Sequence, residues 1–411
     1  MVNRLDRRTQ LLQIYQAALR AVAGDHAVAS WLQANPLEGE WAVAAVGKAA
    51  AAMARGAAQG LGQQLRQGLV ITKPGHGDPA LDPARFLQIE SAHPVPDAAS
   101  LAAGEALLRF LDELPEDVPL LFLVSGGASA LVEVLPEGMD VDGLVELNRW
   151  LLGSGLPIGQ MNAIRKRLSR IKGGRLAPYL KGRRCVQLLI SDVPGDDPAV
   201  IGSGMLVPDS AVKLSQEELP SWLDVLLQSA EPAPSADAPF FRTIETHIIA
   251  GNEQACRAAA ARAGELGVTV HDHPDHFQGD AELLAERFSD ELLGGAPGIH
   301  LWGGESSVRL PAEPGRGGRS QHLALAAARH LAGRDNVLLL AAGTDGSDGP
   351  TGDAGALVDG GTVRRGEEEG GSATEVLARC DAGSFLELSG DLIETGPTGT
   401  NVMDLVIGWR W

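Results

Sequence analysis

Apolar residues gather in short, β-rich runs along the chain. Nearly every run ends in a small or polar loop followed by a helix-like stretch, the alternation that builds an α/β sheet. Residues 41–46 (WAVAAV) lead into Gly47-Lys48 and the alanine-rich AAAAMARGAA, residues 68–72 (GLVIT) into Lys73-Pro74-Gly75, and residues 87–90 (LQIE) into Ser91-Ala92-His93-Pro94. Residues 119–124 (PLLFLV) end in SGGASALVE, 186–190 (VQLLI) in SDVPGDDP and 244–250 (IETHIIA) in GNEQ. Residues 299–302 (IHLW) end in GGESS and 337–341 (VLLLA) in AGTDGSDGPTG. Ligands of open α/β sheets sit beyond the carboxyl ends of the strands, so the pattern places the chemistry in these loops. At the start of the chain Leu5, Leu12, Tyr15, Leu19 and Val22 share a face at helical spacing and predict a docked helix. The Pro/Ala/Asp-rich stretch EPAPSADAP (231–239) lacks apolar periodicity, which predicts two domains, 1–235 and 240–411. RGEEEGG (365–371) reads as a solvated loop and HDHPDHF (271–277) as a polar surface loop without the further ligands of a zinc site.

A chain of 411 residues with 44% hydrophobic positions holds two or three domains and a sizeable core, so its 51 glycines serve turns in a folded protein. The net charge of −19 repels polyanions and excludes a general nucleic-acid binder. Cys185, Cys256 and Cys380 lie far apart and are odd in number, which fits buried thiols in a reducing compartment. Gln13, Gln16 and Arg20 interrupt any signal-peptide core, and no run of about 18 apolar residues occurs. The expected location is the cytoplasm.

Against that acidic background the basic residues stand out. Gly47-Lys48 is not a Walker A loop, because Ala42 and Ala49 stand where glycine and a hydroxyl are required. It leaves a lysine at the first turn of a helix, where cation and helix dipole together attract phosphate. In Ser125-Gly126-Gly127-Ala128-Ser129 two glycines admit a ligand close to the backbone and two hydroxyls join the amides around an anion. The segment 162–177 packs six basic residues together. In a helix Arg165, Ser169 and Lys172 share one face, a clamp for phosphate or carboxylate, while Ile164, Leu168 and Ile171 form the buried stripe. Asp192 at a strand end is placed to hold Mg²⁺ or to accept a hydroxyl proton, and Asp345 in the glycine-rich 343–352 loop is a rival metal residue. Arg319 is expected on a flexible loop before an apolar helix. Asn252 and Glu305, in the strand-end loops GNEQ and GGESS, complete the candidate binding residues.

Taken in order, VGKAA (46–50), HPVPD (93–97), SGGASAL (125–131), RKRLSRIKGGRLA (165–177), SDVPGDD (191–197), GGE (303–305), GGR (317–319), GTDGSDGPTGDAGA (343–356) and TGTNVMDL (398–405) resemble the glycerate 2-kinase family. Its second half is called the MOFRL domain, and the group is also called hydroxypyruvate reductase. The resemblance implies an N-terminal Rossmann-like three-layer domain, a C-terminal α/β MOFRL domain and an active site in the interdomain cleft. It implies transfer of the ATP γ-phosphoryl group to O2 of D-glycerate with Mg²⁺. Lys48 and Arg319 match the family's proposed active-site lysine and arginine. The expected partners are therefore D-glycerate and ATP, with no nucleic acid and no membrane, and a homodimer stays open. Where the family usually reads IASGPT, this chain has Ile201-Gly-Ser-Gly204-Met205-Leu206; GGRNQE becomes GGRSQH (317–322) and TNVND becomes TNVMD (400–404), with Met403 the new residue. Two alternatives remain at this stage. An NAD(P)H-dependent hydroxypyruvate reductase would normally carry G-x-G-x-x-G, which is absent, and a non-catalytic phosphometabolite-binding protein would need the anion loops alone.

Overall fold

WAVAAV forms strand β1 (Trp41–Val46), every residue of which is buried, as expected of a central strand covered on both faces. The computed structural model describes residues 4–209 and 219–411. Around β1 lie β2 (Leu65–Thr72), β3 (Phe86–Glu90), β4 (Leu120–Val124), β5 (Cys185–Ile190) and β6 (Ile244–Ala250), in the order β3-β2-β1-β4-β5-β6. The pairings from β3 through β5 are all parallel, with Ala44 opposite Leu69 on one side and Phe122 on the other. The helix Ala50–Leu61 packs on the helix Gly24–Ala34 so closely that a Cβ on Gly56 would collide with the Asp25 backbone. Its alanine-rich sequence is therefore a packing surface. A smaller core of Leu147, Leu151, Ile164, Leu168 and Leu223 holds the helices Val141–Gly153, Ile158–Arg167 and Ser221–Ser229 together.

The second sheet comprises β7 (Val270–Asp280), β8 (Gly298–Ser307), β9 (Val337–Gly343), β10 (Gly355–Asp359), β11 (Leu392–Ile393) and β12 (Asp404–Arg410), in the order β11-β10-β9-β12-β8-β7. Only β7 and β8 pair in parallel; the other pairings are antiparallel. The helix Arg319–His330 buries residues 320–328 in this unit.

The chain divides into two compact units, Gly24–Ile249 and Met1–Ala23 with Ala250–Trp411. This line differs from the expected cut at 231–239. β6 is a strand of the first sheet, with Ile244 and Ile248 packed on its core. The N-terminal helix Arg4–Ala21 belongs instead with the C-terminal residues. Arg8 pairs there with Asp359 at 3.2 Å and Asp391 at 2.9 Å, and the Tyr15 hydroxyl donates to the Gly343 carbonyl at 2.6 Å. The buried face of that helix is Leu11, Ile14, Tyr15, Ala18 and Leu19, with Val22 buried just past its end, whereas Leu5 is 70% exposed. Two supposed loops are regular structure. HDHPDHF lies in β7, with a register irregularity between His273 and Phe277 around Pro274, and RGEEEGG overlaps the helix Thr362–Glu368, whose Gly366 lies under the Phe385 ring.

Candidate active site

The order of the first sheet reverses between β1 and β4, and doubly wound sheets open their ligand crevice at such a point. Both loops leaving there carry predicted residues. Gly47 has φ +135°, and a Cβ on it would collide with Ser125 Oγ, so glycine alone lets the β1 loop lie on the β4 loop. Hydrogen bonds then join them: Ala49 N–H donates to Ser125 Oγ at 3.0 Å, Lys48 N–H to the Gly126 carbonyl at 2.9 Å and Ser125 N–H to the Val46 carbonyl at 3.1 Å. Ser125 and Gly126 thus join the two loops. Lys48 stands one residue ahead of Ala49, the N-cap of the helix Ala50–Leu61, and its Cγ is 3.2 Å from where a Gly127 Cβ would lie.

Within the same unit a cavity of about 490 Å³ is lined by the predicted Gly127, Ser129, Arg165, Lys172 and Asp192. Glu133 and Ser203 line it too; Ser203 lies in the 201–206 loop, which is expected near substrate, whereas nothing in the sequence singles out Glu133. The Ser129 and Ser203 hydroxyls are 2.8 Å apart, and Leu144, Leu147 and Leu168 give the cavity an apolar wall.

The expected common face of Arg165, Ser169 and Lys172 does not form, because the helix ends at Arg167 with Leu168 as its C-cap. The turn that follows drives Lys172 inward, where it is 3% exposed and ion-paired with Glu133. The other Glu133 oxygen accepts from the Ser169 hydroxyl at 2.5 Å. Ile164, Leu168 and Ile171 are buried as the pattern predicted. Arg165 donates to Asn162 Oδ1 at 3.3 Å and has no carboxylate partner among the described residues. Burial pushes its guanidinium below the usual value. A half-buried cation of this kind on a cavity wall is a ready partner for carboxylate or phosphate. The family departures Met205 and Leu206 are each 1% exposed in the core, whereas Gly202 and Ser203 face the cavity. The lost proline and hydroxyl therefore fall behind the cavity wall.

In the second unit Arg319 is no loop residue. It opens the helix Arg319–His330, donating to Asp404 Oδ2 through Nε at 2.8 Å and to Oδ1 through a terminal nitrogen at 3.1 Å, and it also pairs with Glu305. Although burial opposes it, Asp404 and then Glu305 hold this guanidinium well above its usual value. Burial pushes the Asp404 carboxyl up to about 6 despite Arg319. Burial likewise pushes Asp348 up to about 7, against the backbone N–H groups of Gln321 and Ser320, which donate to it at 2.7 Å and 3.1 Å. Asp348 thus serves as a remote cap for the Arg319 helix. Asp345 accepts from the Ser347 N–H and hydroxyl, each at 3.0 Å. Asn252 is 1% exposed and spends its amide on the Val402 and Asp404 carbonyls at 2.8 Å and 3.1 Å, so it positions the chain carrying Asp404. No group of three or more His, Cys, Asp or Glu that could hold a metal occurs among the described residues.

These features define an α/β protein of two units, the first doubly wound. A family model described as a domain of unknown function (DUF4147) matches residues 10–219, and that of the MOFRL family matches residues 298–404. The D-glycerate 2-kinase of Thermotoga maritima is 37% identical over 97% of both chains. The glycerate 2-kinase of Pyrococcus horikoshii is 33% identical over 96% of this chain and 92% of that one. The crystal structure of Thermotoga maritima glycerate kinase matches with a TM-score of 0.85 at 35% identity, covering 98% of this chain and 99% of that chain. The chain belongs to the glycerate 2-kinase family.

Proposed function

We propose that the protein transfers the γ-phosphoryl group of ATP to O2 of D-glycerate, giving 2-phosphoglycerate and ADP. The observation that carries this reading is the similarity to a D-glycerate 2-kinase along nearly the whole of both chains. The side chains support it. Phosphoryl transfer is largely positioning and neutralisation of charge on the transferred group. Lys48 and Arg319 neutralise that charge, Gly127, Ser129, Arg165 and Lys172 hold anionic groups of the substrates, and Asp192 orients the acceptor hydroxyl. Mg²⁺ is commonly bound by one or two carboxylates plus substrate phosphates, so Asp192 or Asp345 suits it without a larger cluster, and when bound it offsets phosphate charge. Hydride transfer has less support, because the first βα turn reads Gly47-Lys48-Ala49-Ala50 instead of a glycine-rich fingerprint. Three free thiols and the lack, among the described residues, of a helix long and apolar enough to cross a membrane agree with a cytoplasmic enzyme.

The test pairs two incubations, one with D-glycerate, ATP and Mg²⁺ and one with hydroxypyruvate and NADH. ADP release in the first alone is the expected result. NADH oxidation in the second, with no ADP in the first, overturns the proposal.

A further inference from the structure

Glu133 is the one carboxylate on the cavity wall that is itself buried, at 4% exposure, and it lies directly beside a predicted anion-binding lysine. Its backbone is fixed from both sides. Its N–H donates to the Ser100 carbonyl at 3.0 Å, and its own carbonyl lies so close to Gly104 that a Cβ there would collide with it. Its side chain has three partners: Oε1 accepts from the Ser169 hydroxyl at 2.5 Å and the Val134 N–H at 3.0 Å, and Oε2 pairs with Lys172. The Ser169 oxygen in turn accepts from the Ile171 and Lys172 N–H groups at 3.3 Å each, which ties the lysine backbone to the same carboxylate. A lysine ammonium has three donors on a flexible stem and is a poor point of reference unless something holds it. Here one donor is committed to Glu133, which leaves two on a wall shared with Arg165.

We infer that Glu133 is a positioning residue: it fixes the Lys172 ammonium so that Lys172 and Arg165 meet a single oxyanion in the cavity. The inference rests on the proposed function for the identity of that oxyanion, either the carboxylate of the acceptor or a phosphate of the donor. Glu133 touches neither reacting atom. Its loss therefore weakens binding of one substrate through Lys172 and leaves the chemical step nearly intact.

The experiment is a double-mutant cycle of Glu133→Gln, Lys172→Met and the double variant, reading KM for glycerate, KM for ATP, kcat and Tm. Glu133→Gln is expected to raise one of the two KM values about tenfold, a typical coupling for a hydrogen-bonded charged pair, with kcat within about threefold. The substrate whose KM moves identifies the oxyanion. The double variant is expected to be no worse than Lys172→Met alone. Additive effects in the double variant, or a folded Glu133→Gln protein with both KM values unchanged, overturn the inference and leave the kinase reading intact. Glu133→Gln leaves a buried ammonium and could fail to fold. Ser169→Ala, which loosens the same carboxylate without stranding a charge, is therefore measured alongside and should raise the same KM about twofold. Calorimetric titration of wild type and variants with inorganic phosphate reads the oxyanion site without turnover. Weaker phosphate binding in the variants supports the inference even if glycerate proves not to be the substrate, and equal phosphate binding throughout contradicts it.

Discussion

Lys48 owes its position to residues that are not themselves charged: Gly47 lets the loop approach Ser125, and the Lys48 N–H is anchored on the Gly126 carbonyl. Its side chain is half-exposed, so Lys48→Ala is expected to leave Tm nearly unchanged while lowering kcat by roughly 10³ to 10⁵, the range for charge donors to a phosphoryl transition state. A variant keeping about a tenth of wild-type turnover removes Lys48 from the reaction. Asp404 allows a second test. Its folded value of about 6 lies above the ordinary 3.8, so the folded chain holds the proton more tightly than the unfolded one. The stability this contributes is complete below about pH 4 and is lost as pH rises through about 6. Urea denaturation of wild type and Asp404→Asn should thus show the stability advantage of the wild type narrowing from pH 4.5 towards pH 7.5. A widening gap means that Arg319 outweighs burial and holds Asp404 below the ordinary value.

The helices and strands differ in how far the sequence foretold them. β1, β4, β5 and β9 are uniformly buried and read directly as apolar runs ending in loops. β12 and β10 do not read as apolar runs, since DLVIGWR and GALVD mix glycine and charge with their apolar residues; β12 owes its strand form to antiparallel partners distant in sequence, β8 and β9, and β10 to β9 across the glycine-rich 343–352 loop. The site divides in the same way. Arg165, Lys172, Gly127, Ser129 and Asp192 were found as local motifs, whereas Glu133 becomes visible only when the turn after Arg167 brings Lys172 to it. Asp404 was passed over because its importance lies in pairing with Arg319, 85 residues away. Packing between helices makes a prediction of opposite signs. Gly56→Ala gains helix propensity but pushes a methyl into the Asp25 backbone, so it should destabilise by about 1–3 kcal/mol in chemical denaturation. Gly264→Ala, in the helix Asn252–Glu265 with open space around it, should stabilise by about 0.5–1 kcal/mol. Stabilisation of both would show that the helix pair Gly24–Ala34 and Ala50–Leu61 is not held at glycine distance.

Over the whole molecule, a chain of net charge −19 is proposed to bring together two anions, a nucleotide triphosphate and a hydroxy acid. The cations for this task are local: Lys48, Arg165 and Lys172 in the unit Gly24–Ile249, and Arg319 in the other. On the proposed reading, each unit therefore supplies a cation for the reaction. Arg319→Ala should lower kcat by a factor similar to that for Lys48→Ala, and steady-state ADP release checks it; normal turnover would confine the chemistry to the first unit. Phosphorus NMR of the purified protein with ATP, Mg²⁺ and D-glycerate tests the central claim most directly. The account predicts a growing 2-phosphoglycerate resonance matched by the conversion of ATP to ADP. A 3-phosphoglycerate resonance would contradict transfer to O2, and ATP left unchanged while the protein is folded would contradict the kinase itself.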